Sequence, residues 1–130
     1  DLQALGPVLL GLRSVGVYHT PPIPEHTAGV PKDLWAQARG GFMTLGLFED
    51  KTVRRHLMVV NRDIRRERMV TLMFPQAAQG FERFGPEEHQ WLPVQMWHTA
   101  KGVPAVRLRI GPGDAVLLRE SRGNCPSTGR

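Results

Sequence analysis

Hydrophobic residues recur with two different periods along this chain. Leu2, Leu5, Leu9 and Leu12 stand three and four apart, the spacing of one helical face. They predict a helix over residues 2–13, kinked or begun at Gly6-Pro7, where a missing N–H costs nothing. From Val17 to Gly41 the period vanishes, and Thr20-Pro21-Pro22-Ile23-Pro24 and Thr27-Ala28-Gly29-Val30-Pro31 read as a long connection. After Gly41 the period becomes two. Met43, Leu45 and Leu47 alternate with Phe42, Thr44, Gly46 and Phe48; Leu57 and Val59 alternate with His56, Met58 and Val60; Val70, Leu72 and Phe74 alternate with Met69, Thr71 and Met73. Turns at Glu49-Asp50-Lys51 and Asn61-Arg62-Asp63 separate these runs. They predict one antiparallel meander over residues 42–48, 54–61 and 67–74, with Leu45, Leu47, Leu57, Val59, Val70 and Leu72 facing inward.

Further along, Phe81 to Phe84 and Gln90 to Trp97 read as short strands, the second carrying Trp91 and Trp97 on the same side if no bulge intervenes. Val106, Leu108 and Ile110 alternate with Arg107 and Arg109. Gly111-Pro112-Gly113-Asp114 then turns the chain into a last strand, Ala115 to Leu118. The pattern predicts a mainly β chain, an antiparallel β-sandwich of six to seven short strands preceded by one N-terminal helix and a Pro-rich linker. The boundaries that follow are residues 1–20 for the helix, 21–41 for the linker, 42–119 for the sandwich and 120–130 for a disordered tail.

Composition agrees with many short elements, since 14 glycines and 11 prolines in 130 residues disfavour a long-helix bundle. Residues 51–70 hold seven basic side chains against two acidic ones, which accounts for the whole net charge of +5. Arg54, Arg55, Arg62, Arg65, Arg66 and Arg68 form this candidate basic patch, a possible lure for phosphate or the solvated edge of one hairpin. Cys125 is the single cysteine and lies in the tail, so neither an internal disulfide nor a cysteine metal cluster can form. No apolar run has the length of a membrane span. The start, Asp1-Leu2-Gln3-Ala4-Leu5, has no initiator Met and no signal-peptide pattern, and reads as the interior of a longer chain.

Catalysis requires converging groups. Glu49 with Asp50 and Glu87 with Glu88 are sequence neighbours, which an extended chain sends to opposite faces. Asp63 and Glu67 read as ion-pair partners of the surrounding arginines. No Gly-x-Ser-x-Gly, phosphate-binding glycine loop or His-Glu-x-x-His occurs. His19, Glu25 and His26 match no recognised ligand spacing. The expectation is therefore no catalytic residue, no metal and no cofactor in this chain. Trp35, Trp91 and Trp97 are the candidate sugar-contact residues, with ordinary core positions as the plainer reading.

The segments Gly46-Leu47-Phe48-Glu49-Asp50, His56-Leu57-Met58-Val59-Val60-Asn61-Arg62-Asp63, Val70-Thr71-Leu72-Met73-Phe74 and Leu108 to Leu118 carry a resemblance. In this order they are similar to the C-terminal antiparallel β-sandwich that follows the (β/α)8 barrel in many bacterial glycoside hydrolases, β-galactosidase-like ones included. There a hydrophobic run ends in Asn-Arg/Lys-Asp and a last hairpin is built on Pro-Gly-Asp. The resemblance implies that residues 1–20 are the last barrel helix and its exit, and that the chain is an accessory domain packed on an upstream catalytic barrel. It places the catalytic carboxylates in that barrel, so none carries over. A carbohydrate-binding module acting through its tryptophans ranks second, and a nucleic-acid domain acting through residues 51–70 third. The compartment stays open, export of the parent being one option. If the N-terminal segment belongs to a barrel, a chain starting at Gly41 should fold about as well as the whole.

Overall fold

The computed structural model describes residues 9, 11–75, 80–85 and 87–121. Among them the chain forms ten strands: β1 Arg13–His19, β2 Gln37–Arg39, β3 Met43–Glu49, β4 Arg55–Asn61, β5 Arg68–Met73, β6 Phe81–Gly85, β7 Gln90–Pro93, β8 Trp97–His98, β9 Pro104–Ile110 and β10 Ala115–Glu120. They make two antiparallel sheets, one in the order β1-β3-β4-β10-β6-β7 and one in the order β2-β5-β9-β8. The mainly β, two-sheet expectation holds, with ten strands where six to seven were expected, the additional ones being the short β2 and β8 and the edge strand β1.

Between the sheets lies one apolar cluster. Met43, Leu45, Leu47, Leu57, Val59, Phe81, Val116 and Leu118 come to it from the larger sheet, and Val70, Leu72, Val106, Leu108 and Ile110 from the smaller. All six residues expected inward from the alternation are buried. Burying a side chain of this size is worth about 1.5–3 kcal/mol before entropy is charged.

Three features differ from the sequence reading. The N-terminal helix is not supported: most of residues 2–13 lie outside the described residues, and Arg13 opens a strand. β1 pairs with β3 from Arg13↔Glu49 to His19↔Thr44, with a bulge between Ser14 and Gly16. The segment expected to be a linker also enters the fold. Ala36 is fully buried, Trp35 stacks on Phe74 and Phe81, and β2 pairs with β5 at Ala38↔Leu72. Such a short strand leaves no periodic trace in the sequence.

The third difference is the meander itself. β3 and β4 form the expected hairpin, but β5 pairs with β2 and β9 in the other sheet. Alternation fixes which residues face inward and leaves open which of two facing sheets a strand joins. The expected last hairpin is a crossing as well: β9 pairs with β5 and β8, β10 with β4 and β6. At Gly40, between β2 and β3, φ is +143° and a Cβ would stand 2.9 Å from the Met69 carbonyl oxygen, so the chain passes there only as glycine.

Two of the crossings between the sheets, β4–β5 and β9–β10, are tied to each other by the Asn-Arg-Asp segment. Asn61, fully buried, donates from Nδ2 to the carbonyls of Arg66, Ile110 and Gly111. Its amide N–H donates to the Asp114 carbonyl, and the Gly113 N–H donates to the Asp63 carbonyl. The Asp63 carboxylate accepts the N–H groups of Arg65 and Arg66 and pairs with Arg68. Polar residues sit at this buried junction because four chain segments arrive there with unpaired backbone groups.

Candidate functional site

The three tryptophans do not form one platform. Trp35 lies with its ring centroid 6.2 Å from Phe74 and 6.4 Å from Phe81, packed against the main core, with the Arg55 guanidinium 5.2 Å from its centroid. Trp91, on β7, meets Phe84 and His56 edge-on and carries Arg119 at 4.2 Å. Trp97 sits on β8 in the other sheet, 37% exposed, with Arg107 at 5.1 Å. The expectation that Trp91 and Trp97 share a strand face fails because the chain changes sheets between Pro93 and Trp97.

The basic residues of 51–70 disperse in the same way. Arg54 donates to the Glu120 carbonyl at 2.7 Å and to Glu82 at 3.3 Å, and Glu82 also takes Arg119 at 2.8 Å. Arg55 covers Trp35, while Arg68 pairs with Asp63 and lies 4.0 Å from the Phe42 ring centroid. Arg62 reaches back across the end of the larger sheet. One of its nitrogens donates to the Met43 carbonyl and the other to the carbonyls of Thr20 and Pro22, a use that only a planar two-pronged cation can serve. Arg65 and Arg66 remain exposed. No continuous basic face results.

His19 belongs to this Arg62 network. Its Nδ1 lies 2.8 Å from the Thr44 hydroxyl and 3.1 Å from the Arg62 guanidinium. Burial and the Arg62 charge hold its pKa below the ordinary value, and in the neutral ring Nδ1 can accept the Arg62 N–H. His26 and Glu25 approach only each other, at 3.9 Å, on the surface. Among the described residues no three His, Cys, Asp or Glu side chains come together as metal ligands. Glu49 pairs with Arg13, and Asp50 accepts from Thr52 and the Arg54 N–H inside the β3–β4 turn. Cys125 lies outside the described residues. No helix of the described residues is long and apolar enough to cross a membrane.

Two surfaces stand out instead. The first is the outer face of the larger sheet, where Phe84, Ala115 and Leu117 are buried in a second apolar cluster with Met58, Val60, Trp91 and Leu9 packed on it. The second is a cleft of about 490 Å³ on the outer face of the smaller sheet. Its floor is a cross-strand row, Arg39↔Thr71↔Arg107, and its wall is the hairpin joining β8 to β9, with Thr99 and Lys101. Trp97 and Met73 complete it.

The sequence pattern does not mark this cleft, because Arg39 falls in the segment expected to be a linker and Arg107 enters only as an alternate position of a strand. The row that joins them depends on pairings between residues 32 and 36 apart in sequence, Arg39↔Thr71 and Thr71↔Arg107. The alternation of Arg107 and Arg109 with Val106, Leu108 and Ile110 was its one local signal. No family model, curated protein or solved structure matches this chain.

Proposed function

We propose that this chain is a non-catalytic accessory β-sandwich domain of a carbohydrate-active enzyme, seated on the catalytic barrel through the outer face of its larger sheet. The resemblance supplies the barrel and the enzyme class. The observation that supports the seating is the second apolar cluster. A sheet face that looks onto water alternates to polar residues, yet here Leu117 and Phe84 are covered by the half-buried apolar side chains of Met58, Val60, Trp91 and Leu9, the last four positions before β1. A domain preceding β1 reaches this face first. Deleting the domain from the enzyme that carries the barrel should lower the temperature at which aryl-glycoside hydrolysis is lost, and the domain alone should show no hydrolysis. Turnover by the isolated chain, abolished by a single carboxylate substitution, would overturn the proposal.

A carbohydrate-binding role is the second reading, favoured by one observation, the partly exposed Trp97 at the rim of the cleft. Trp35 and Trp91 support it less, being engaged with Phe74, Phe81, Phe84 and His56. A nucleic-acid role through residues 51–70 has the least support, since four of its six arginines are turned to internal partners.

A further inference from the structure

We infer that the cleft on the smaller sheet binds an acidic oligosaccharide, one whose sugar rings carry carboxylates. Three cations, Arg39, Lys101 and Arg107, line it together with Thr71, Thr99, Met73 and Trp97, and no acidic side chain does. Arg39 and Lys101 make no ion pair or side-chain hydrogen bond among the described residues, in contrast to Arg109 one row away, which pairs with Glu67. Arg39 and Arg107 stand on either side of Thr71 in register, so their backbones are about 10 Å apart, two strand spacings. Two guanidinium groups so placed can each grip a carboxylate through paired N–H bonds.

The ring beside them sets the rest of the ligand. Trp97 is the register partner of Ala105, is partly open at the cleft, and has the Arg107 guanidinium 5.1 Å from its ring centroid. The part of the indole that Arg107 leaves open offers apolar surface to the C–H groups of a sugar whose carboxylate meets that arginine, and the hydroxyls of Thr71 and Thr99 suit sugar hydroxyls. A nucleic-acid strand calls for a series of aromatic platforms along its track, and this cleft holds one. The choice of a glycan rests on the carbohydrate reading above; the choice of an anion rests on the cleft alone.

Calorimetric titration of the 130-residue chain with a galacturonate trisaccharide tests the inference, using the fully methyl-esterified trisaccharide as the uncharged control and oligothymidylate of equal charge as the competing anion. The expected result is saturable binding of the acid form, weakened tenfold or more by esterification, by Arg39→Gln and by Arg107→Gln, and weakened by Trp97→Ala. All three side chains are on the surface, and circular dichroism confirms that each variant is folded. Equal binding of the esterified form, or binding indifferent to both arginine substitutions, would overturn the inference. Tighter binding of oligothymidylate with the same dependence on Arg39 and Arg107 would overturn the glycan. Failure of every anion would overturn the cleft as a site, while the accessory-domain reading, judged by thermal inactivation of the barrel, would stand.

Discussion

Asn61 donates from Nδ2 to the carbonyl of Ile110 at 3.0 Å, and this buried bond joins two of the places where the chain passes from one sheet to the other, β4–β5 and β9–β10. The same nitrogen serves Arg66 and Gly111, so one amide closes both crossings. Asn61→Ala leaves those carbonyls facing apolar neighbours. It should cost at least about 2 kcal/mol, the scale of buried acceptors left unpaired, read as a lower urea midpoint. Asn61→Asp should cost as much, because a carboxylate presents no donor to them. A loss below half a unit in both variants would show water replacing the amide.

Core truncations should follow burial and be indifferent to which sheet a residue occupies. Leu57 and Leu72 are both fully buried, one in each sheet, and each Leu→Ala should cost about 2–5 kcal/mol. Ile64, exposed in the β4–β5 crossing, should lose less than about half a unit on the same truncation. Equal effects at all three positions would contradict the packing described.

A chain starting at Gly41 should be far less stable than the whole, opposite to the expectation drawn from sequence. It lacks β1, which covers one side of β3, and it lacks Trp35 and Ala36, which close the core over Phe74 and Phe81. Loss of one large aromatic from a core costs about 3–5 kcal/mol by itself. The thermal midpoint of residues 41–130 should drop by about 10 °C or more. A midpoint within a few degrees of the whole chain would restore the linker reading.

Acidification should weaken the fold first through His56. Burial lowers its pKa, and the Arg54 and Arg119 charges act in the same direction, while the bond to the Arg54 carbonyl and the Asp50 charge oppose them. The folded ring therefore releases its proton at lower pH than the unfolded ring, whose value is about 6.5. Stability is fully present above that value and is lost as pH falls through the lowered folded one. His19 titrates with the same sign. His56→Gln should flatten the decline of the thermal midpoint between pH 7 and 5, leaving the share of His19. An unchanged slope would assign the decline elsewhere.

The inward-facing positions were legible in the sequence because alternation is local: Leu45, Leu47, Leu57, Val59, Val70 and Leu72 are all where a period of two puts them. Sheet membership was not, because Asn61-Arg62-Asp63 reads equally as a hairpin turn and as a crossing. What decides is the partner of Asn61 Nδ2, which lies 49 residues away. The cleft was hidden for the same reason. Arg39, Thr71 and Arg107 become neighbours only through pairings that leave no mark on any one segment.

The most direct measurement of the proposed seating places a charge on the outer face of the larger sheet. Met58 lies there, half-buried and outside the core between the sheets. Met58→Lys should leave the isolated chain within about 1 kcal/mol of its original stability, since a lysine stem can lie along the surface with its ammonium in water. In the domain joined to the proposed catalytic barrel, the same substitution should lower the temperature at which hydrolytic activity is lost by several degrees. An inactivation temperature indifferent to Met58→Lys, in a protein shown to fold, would contradict the seating.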